Sequence, residues 1–113
     1  MFQLIDGTMV TEYHPILQEN EWKFPRTVGE RKDVFCNYVY DFILERHHTI
    51  MVNDTPCVTL GHGFTDNEVV KHDYFGTHQV VEDMKALPGW EKGQVDVHNT
   101  ERDSKSGRII RMY

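Results

Sequence analysis

The fold is decided by residues 38–63, which read YVYDFILERHHTIMVNDTPCVTLGHG. From Tyr38 to Leu44 the side chains follow the two-residue period that is typical of a β-strand. Both faces of this strand are largely apolar, so we expect a strand buried on both sides.

Two more strands are predicted in the same stretch. Residues 45–48 form a polar turn, and the β-branched run Thr49–Val52 predicts the second strand. Asn53–Pro56 predicts a tight turn, because Asn and Asp bond their own backbone and Pro fixes φ. A third strand is predicted over Cys57–Leu60, and the glycines beside His62 end it. The hairpin should bring the histidines of the polar turn close to the cysteine.

The rest of the chain supplies two hairpins and one helix. Asp6-Gly7, between short apolar runs, predicts a hairpin over residues 2–11. The helix is predicted over Thr77–Leu87, because Thr77 can cap it and Val80, Val81, Met84 and Leu87 form one apolar stripe. Further expectations are a hairpin at 16–24, loops at 25–33 and 64–76, and strands at 94–97 and 108–113.

These elements predict a mainly β fold with one C-terminal α-helix, in a single domain spanning residues 1–113. Residues 1–63 would form the β core and residues 64–113 a helix-containing extension. A chain of 113 residues is long enough for one domain and too short for two.

Composition excludes several classes of partner. The net charge of −6 offers no basic face to phosphates, so we expect no nucleic acid. No apolar run approaches the roughly 20 residues that span a bilayer, and no secretory signal is recognisable, so we expect no membrane. The two cysteines, Cys36 and Cys57, do not make a disulfide framework, and they fit a reducing, cytoplasmic location.

Ordered motifs give the chain a resemblance to a known family. Thr11-x-x-His14 followed by proline, Trp22-x-Phe24-Pro25, and Val39–Phe42 leading into His48-x-x-x-x-Asn53 resemble the later half of a Hint domain. Hint domains are the self-cleaving modules of inteins and hedgehog proteins. Cys57–Gly63, His72–Thr77 and Pro88–Trp90 are similar to the Vint branch, whose domains are attached to von Willebrand factor type A modules. The fold expected from this resemblance is Hint-like and partial.

The resemblance implies an N-to-S acyl shift, in which a cysteine attacks the peptide bond before it and forms a thioester. It implies that His14 bonds the nitrogen of the scissile amide as general acid or base, and that Thr11 holds this geometry. Asp41 and His48 match residues that assist the shift, and Cys57 matches a second cysteine of hedgehog-type domains. The candidate site residues are therefore Thr11, His14, Asp41, His48, Cys57 and His62.

The chain departs from the family pattern in one respect. The nucleophilic cysteine should lie several dozen residues before the Thr-x-x-His motif, yet only ten residues precede Thr11 and none is a cysteine. We therefore expect the later part of an autoprocessing domain, inactive alone and completed by an upstream cysteine-bearing half in cis or in trans. A fragment, a split half and a reduced descendant all fit the residues.

Two other functions remain open. A degenerate Hint core could act as a non-catalytic interaction module that binds partners or self-associates, because a missing half leaves strand edges and apolar surface uncovered. In that case Asp41 and Cys57 would be structural residues. A zinc-binding domain is the third possibility, although the spacing fits no regular ligand pair. No cofactor is expected. The available zinc ligands are His47, His48, Cys57, His62, His72 and His78.

Overall fold

The fold is described from a computed structural model that covers residues 1–113. Most of its regular structure is β, as predicted, and no helix is long and apolar enough to cross a membrane. The helices are α1 (Pro25–Val28), α2 (His78–Lys85) and a 3₁₀ turn (Trp90–Lys92). The strands are β1 (Phe2–Gln3), β2 (Met9–Val10), β3 (Ile16–Gln18), β4 (Glu21–Lys23), β5 (Glu30–Arg31), β6 (Thr49–Val52), β7 (Thr55–Val58), β8 (Thr100–Arg102) and β9 (Ile109–Met112).

The strands form three antiparallel sheets. The first has the order β2-β1-β5, the second β4-β3-β7-β6, and the third is the hairpin β8-β9. In the second sheet β3 and β7 are the central pair, with Ile16 opposite Cys57. This pairing joins segments that lie about forty residues apart in the chain, so it sets the position of everything between them.

The two predicted N-terminal hairpins and the helix are confirmed. β1 pairs with β2 around Gly7, whose φ is +88°. β3 pairs with β4 through Glu19 and Asn20, both in the left-handed region that a two-residue type I′ turn requires. Helix α2 is capped by Thr77, whose Oγ1 accepts a hydrogen bond of 3.3 Å from the Gln79 amide.

The predicted buried strand over residues 38–44 is wrong. Its backbone is irregular, and its contact with a strand-like neighbour is one parallel bridge between Ile43 and Leu60. Tyr38 is 69% exposed and Tyr40 72%. The alternating apolar side chains suit a strand, but within this chain no strand lies alongside to complete a ladder. We call residues 34–42 the aromatic segment.

Smaller differences concern the ends of elements. The third predicted strand, Cys57–Leu60, lies two residues earlier, at Thr55–Val58. Pro56, which was predicted to belong to the turn, lies within the ladder opposite Met51. Residues 94–97 are not a strand, and the strand lies further on, at β8. The predicted loop over residues 25–33 holds the single turn of α1 and the short β5.

Two separate apolar clusters stabilise the molecule. The first consists of Leu4, Val10, Ile16 and Cys57, so it lies between the first two sheets. The second consists of Tyr74, Val80 and Met84, and it joins α2 to the C-terminal hairpin. Only 15 of 113 residues are buried, and twelve large apolar side chains are exposed.

Asp6 clamps the first hairpin to the central one. Its carboxylate accepts hydrogen bonds from Thr55 Oγ1 at 2.6 Å, the Thr8 amide at 2.9 Å and the Asp54 amide at 3.3 Å. The bonds from Thr55 and Thr8 lower the pKa of Asp6 to about 2. A turn residue of the first hairpin thus binds the turn of the β6–β7 hairpin.

We expect Asp6→Asn to reduce the free energy of unfolding by about 1 to 2 kcal/mol, since a charged acceptor is lost. The native pKa lies below the unfolded value, so this contribution is complete above about pH 4 and disappears as the pH falls towards 2. Urea unfolding of both proteins between pH 2 and 7 measures it. Asp66→Asn, at an exposed position, is the matched control, and equal losses in the two variants would contradict the clamp.

Tyr74 ties the C-terminal hairpin to the helix. Its ring is 2% exposed, its hydroxyl donates to Asp83 Oδ2 at 2.6 Å, and it accepts from the Met112 amide at 3.0 Å. Burial and the bond to Asp83 raise the pKa of Tyr74. One phenol therefore holds α2 and β9 together.

Tyr74→Phe should keep the packing and remove both hydrogen bonds, leaving the free energy of unfolding lower by about 1 to 2 kcal/mol. Thermal unfolding monitored by circular dichroism checks this. Tyr40→Phe, on a ring 72% exposed, should leave the melting temperature unchanged. A melting temperature of Tyr74→Phe equal to that of the unmodified chain would show that the hydroxyl does not join these elements.

Candidate functional site

His14 lies two residues before β3, where the chain turns into the second sheet. Its amide donates to the Thr11 carbonyl at 3.4 Å, and this bond closes the Thr11–His14 turn. The half-buried ring lies against β7, with Nε2 2.8 Å from the carbonyl oxygen of Val58. A carbonyl can only accept, so Nε2 carries the proton in this bond. Nδ1 is then the nitrogen that is left for other partners.

Asp41 is the neighbour of that second nitrogen. Its Oδ1 lies 3.6 Å from His14 Nδ1, and its side chain is about half exposed. The segment that carries it is anchored just beyond, where the Leu60 amide donates to the Phe42 carbonyl at 2.8 Å. The structure therefore brings together His14 and Asp41, which are 27 positions apart in the sequence.

The pair lies on the wall of a groove of about 580 Å³. Thr11 lines the same groove with an exposed side chain, and most of the other lining residues are apolar. The aromatic segment forms one side, while β2 and β6 contribute residues 9–10 and 50–52. Both strands are edges, because β2 pairs only with β1 and β6 only with β7. The groove thus combines apolar walls, open strand edges and a histidine.

Cys57 lies at the floor of this groove but belongs to the core. It is 3% exposed and packs with Leu4, Val10 and Ile16, and its thiol donates to the Thr55 carbonyl at 3.6 Å. Burial, with a smaller effect from the charge of Asp6, raises the pKa of Cys57 to about 11. At neutral pH this cysteine is a protonated thiol and a poor nucleophile.

His48 and His62 lie elsewhere, in a group of rings around Phe64 that we call the Phe64 group. The rings of His62 and Phe64 stack with centroids 5.0 Å apart, and His48 meets Phe64 edge-on at 6.2 Å. Neither histidine lines the groove of His14. The six candidates are thus divided: Thr11, His14, Asp41 and Cys57 surround the groove, and His48 and His62 do not.

The ring of His62 is bonded to the backbone. Its Nδ1 accepts from the Phe64 amide at 2.8 Å. The side chain is 5% exposed. Burial lowers the pKa of His62, and the nearby His48 and His72 lower it further against the opposing bond to Val70. A buried ring whose Nδ1 is already occupied by a backbone amide is poorly placed to transfer a proton.

The glycines around His62 form the joint between the β core and the helical extension. The Gly61 amide donates to the Phe75 carbonyl at 2.7 Å, and the Gly63 amide to the Gly76 carbonyl at 2.8 Å. A Cβ on Gly61 would lie 2.6 Å from Val81 of α2, and one on Gly76 would lie 2.8 Å from the His62 ring. Close contact with α2 thus accounts for Gly61, and a positive φ of +73° accounts for Gly63.

Comparison with protein families agrees with this arrangement. A family described as Vint, a Hint-domain, matches residues 1–111. The chain belongs to the Vint family. A search of curated proteins finds no match. The Vint family is of the Hint autoprocessing type, and the mainly β fold is consistent with it.

The zinc alternative has no site in this Vint domain. No group of three or more His, Cys, Asp or Glu side chains lies close enough to hold a metal ion. His47 is exposed, and His78 forms an ion pair of 2.8 Å with Glu82 on the surface of α2. The histidines therefore serve several local structures instead of one centre.

Sequence reasoning missed the partner that orients His14. The Val58 carbonyl is a backbone group, so no residue type at position 58 could announce it. Phe64, the centre of the Phe64 group, lies in a segment of the Vint domain whose sequence has no hydrophobic periodicity. Its position two residues after His62 was the only signal available. The buried Nδ1 of His48 has no hydrogen-bond partner, and sequence could not show this either.

The two thiols of this Vint domain should differ sharply in reactivity. Cys36 is exposed and Cys57 buried, so we expect one thiol to react rapidly with 5,5′-dithiobis(2-nitrobenzoate) at pH 8 and the second only in denaturant. The Cys36→Ser variant should show no rapid reaction. Two rapid thiols in the folded chain would contradict the burial of Cys57.

Proposed function

We propose that this chain is the later part of a Vint autoprocessing domain that acts by an N-to-S acyl shift on a cysteine supplied by an upstream segment. The observation that supports this most is the His14 ring, held by the Val58 carbonyl at Nε2 with Nδ1 facing Asp41 at the groove wall. A ring with one nitrogen fixed and the other accessible suits a group that takes up a proton and then delivers it.

The proposed step is an isomerisation of one peptide bond. The sulfur of the incoming cysteine attacks the carbonyl carbon of the peptide bond that precedes it. The new C–S bond gives a thioester, and the C–N bond breaks. The thiol loses one proton, and the departing nitrogen gains one. His14 Nδ1 takes up the proton of the thiol and then delivers it to the departing nitrogen, and the Asp41 carboxylate stabilises the ring while it is charged. Thr11, on the same wall, holds the scissile segment.

The nucleophile in this proposal comes from outside residues 1–113. Cys57 is a buried thiol with a pKa of about 11, and Cys36 is not among the residues that line the groove. Neither therefore offers a thiolate to a peptide bond beside His14. On this basis the chain is inactive alone.

The groove is the proposed binding site for the cysteine-bearing segment. Its strand edges at β2 and β6 leave backbone donors and acceptors open to an extended segment. The aromatic segment adds apolar side chains that are exposed in the isolated chain, with Phe35 91% exposed. An extended, apolar segment would cover both features and place its cysteine near His14.

The second candidate is a non-catalytic interaction module that binds a partner or self-associates through the same surface. It is favoured by the number of large apolar side chains exposed in one continuous stretch, because a patch of this kind marks an interaction site. Those side chains are Val34, Phe35, Tyr38, Val39, Tyr40 and Phe42. In this alternative the pair of His14 and Asp41 would stabilise the groove and transfer no proton.

The test mixes this chain with the cysteine-bearing N-terminal segment of another Vint domain, extended by a short flank before its cysteine. Intact mass is followed with and without dithiothreitol. We expect thiol-dependent loss of the flank, slowed at least about 100-fold by His14→Ala, as expected when a general acid is removed. His98→Ala, at an exposed position far along the chain, should cleave at the unmodified rate.

The outcomes separate the two candidates. Complex formation by size-exclusion chromatography without any change of mass would support the interaction module and reject the acyl shift. Release of a defined fragment by this chain alone would contradict the need for an outside cysteine. Equal rates for His14→Ala and His98→Ala would remove His14 from the mechanism.

A further inference from the structure

Pro15 occupies a special place in the pairing of β3 with β7. Ile16 lies opposite Cys57 in this antiparallel ladder, so Pro15 lies opposite Val58. Two residues that face each other at such a position normally exchange both backbone hydrogen bonds. The Val58 amide does donate to the Pro15 carbonyl, at 3.2 Å. Pro15 has no amide proton to return.

The Val58 carbonyl is therefore left without its ladder donor. A carbonyl in the sheet that lacks a partner is costly, so another donor is favoured there. The donor that the structure supplies is the imidazole of His14, the residue just before the proline, whose Nε2 lies 2.8 Å from Val58 O. The side chain takes the place of the missing backbone amide.

We propose that Pro15 is a positioning residue, which keeps the Val58 carbonyl open so that it binds His14 Nε2 and directs Nδ1 to Asp41 and the groove. The orientation of the His14 ring then depends on the amide proton that Pro15 lacks, as well as on the side chains around the ring. The consequence for an acyl shift rests on the proposed function, whereas the orientation of the ring does not.

The other face of the same peptide unit is also fixed. The Thr59 amide, which shares its peptide bond with the Val58 carbonyl, donates to the His48 carbonyl at 2.9 Å. His48 has a φ of +54°, a left-handed conformation that continues the β6–β7 ladder by one bond. The carbonyl therefore points at His14 from a peptide plane that is held from both sides. A proline at position 15 also keeps His14 itself out of the helical region.

Pro15→Ala tests this, because alanine restores the missing amide proton. We expect the new amide to bond Val58 O within the ladder and to exchange with solvent at least 10-fold more slowly than an unstructured amide. The His14 ring should then be released. Its ¹⁵N chemical shifts should change from the pattern of a single Nε2–H tautomer to that of a mixture, while the melting temperature stays equal or rises.

A merely structural proline would behave differently, since its loss would lower the melting temperature and leave the ring tautomer unchanged. Pro15→Val supplies the same amide with a strand-favouring side chain, so it answers the question even if Pro15→Ala folds poorly. Pro88→Ala, at an exposed proline after α2, should leave the His14 signals as they are. Retention of the Nε2–H tautomer in folded Pro15→Ala and Pro15→Val would overturn the proposal.

The measurement uses the isolated chain and needs no cleavage. Failure of the unmodified chain to carry out the acyl shift, together with release of the His14 ring in Pro15→Ala, would reject the proposed function and leave the role of Pro15 standing. Active cleavage by a Pro15→Ala chain that keeps the Nε2–H tautomer would reject the role of Pro15 and leave the proposed function standing.

Discussion

The pairing of β3 with β7 is the constraint on which the rest of the structure depends. It puts Ile16 opposite Cys57 in the first apolar cluster, where burial of both side chains favours one register. That register decides which backbone groups face each other beyond the strand ends. The Val58 carbonyl then meets His14. A shift of β3 by one residue would turn Ile16 out of the core and remove the support of the His14 ring.

The division of the histidines follows from the two apolar clusters. The first cluster forms the floor of the groove and keeps Cys57 protonated, so the same burial that stabilises the fold makes this cysteine unsuitable as a nucleophile. The second apolar cluster requires close contact between α2 and the segment that contains His62. Glycines permit that contact, and backbone amides bind the ring. Part of the family motif is thus explained by the joint between two halves of the domain, and the remainder by the groove.

Local signals in the sequence were sufficient for the short elements. Asp6-Gly7 predicted a hairpin because the turn needs a positive φ, and Thr77 predicted the start of α2 because a hydroxyl caps free amides. The alternation over residues 38–44 led to a wrong prediction of a buried strand. Such a pattern indicates that a segment can form a strand, but it does not show that a neighbouring strand is there to pair with it. The clamp at Asp6 joins positions 48 residues apart, and the partner of His14 is a backbone carbonyl. Neither has a residue-level signature. His14 and Asp41 were assigned to one site only through the resemblance to the Hint family.

The surface around the site follows the same logic as its interior. A chain that buries 15 of its 113 residues has a small driving force of its own, and its aromatic segment adds apolar area that water must cover. An extended partner along β2 and β6 would bury that area and pair the open edges in a single event. Binding would then stabilise the domain and bring a peptide bond to His14 at the same time. In the proposed arrangement the thiol would come from the partner, and the ring would have to be oriented before the partner arrives. The backbone of β7 meets that requirement within this chain.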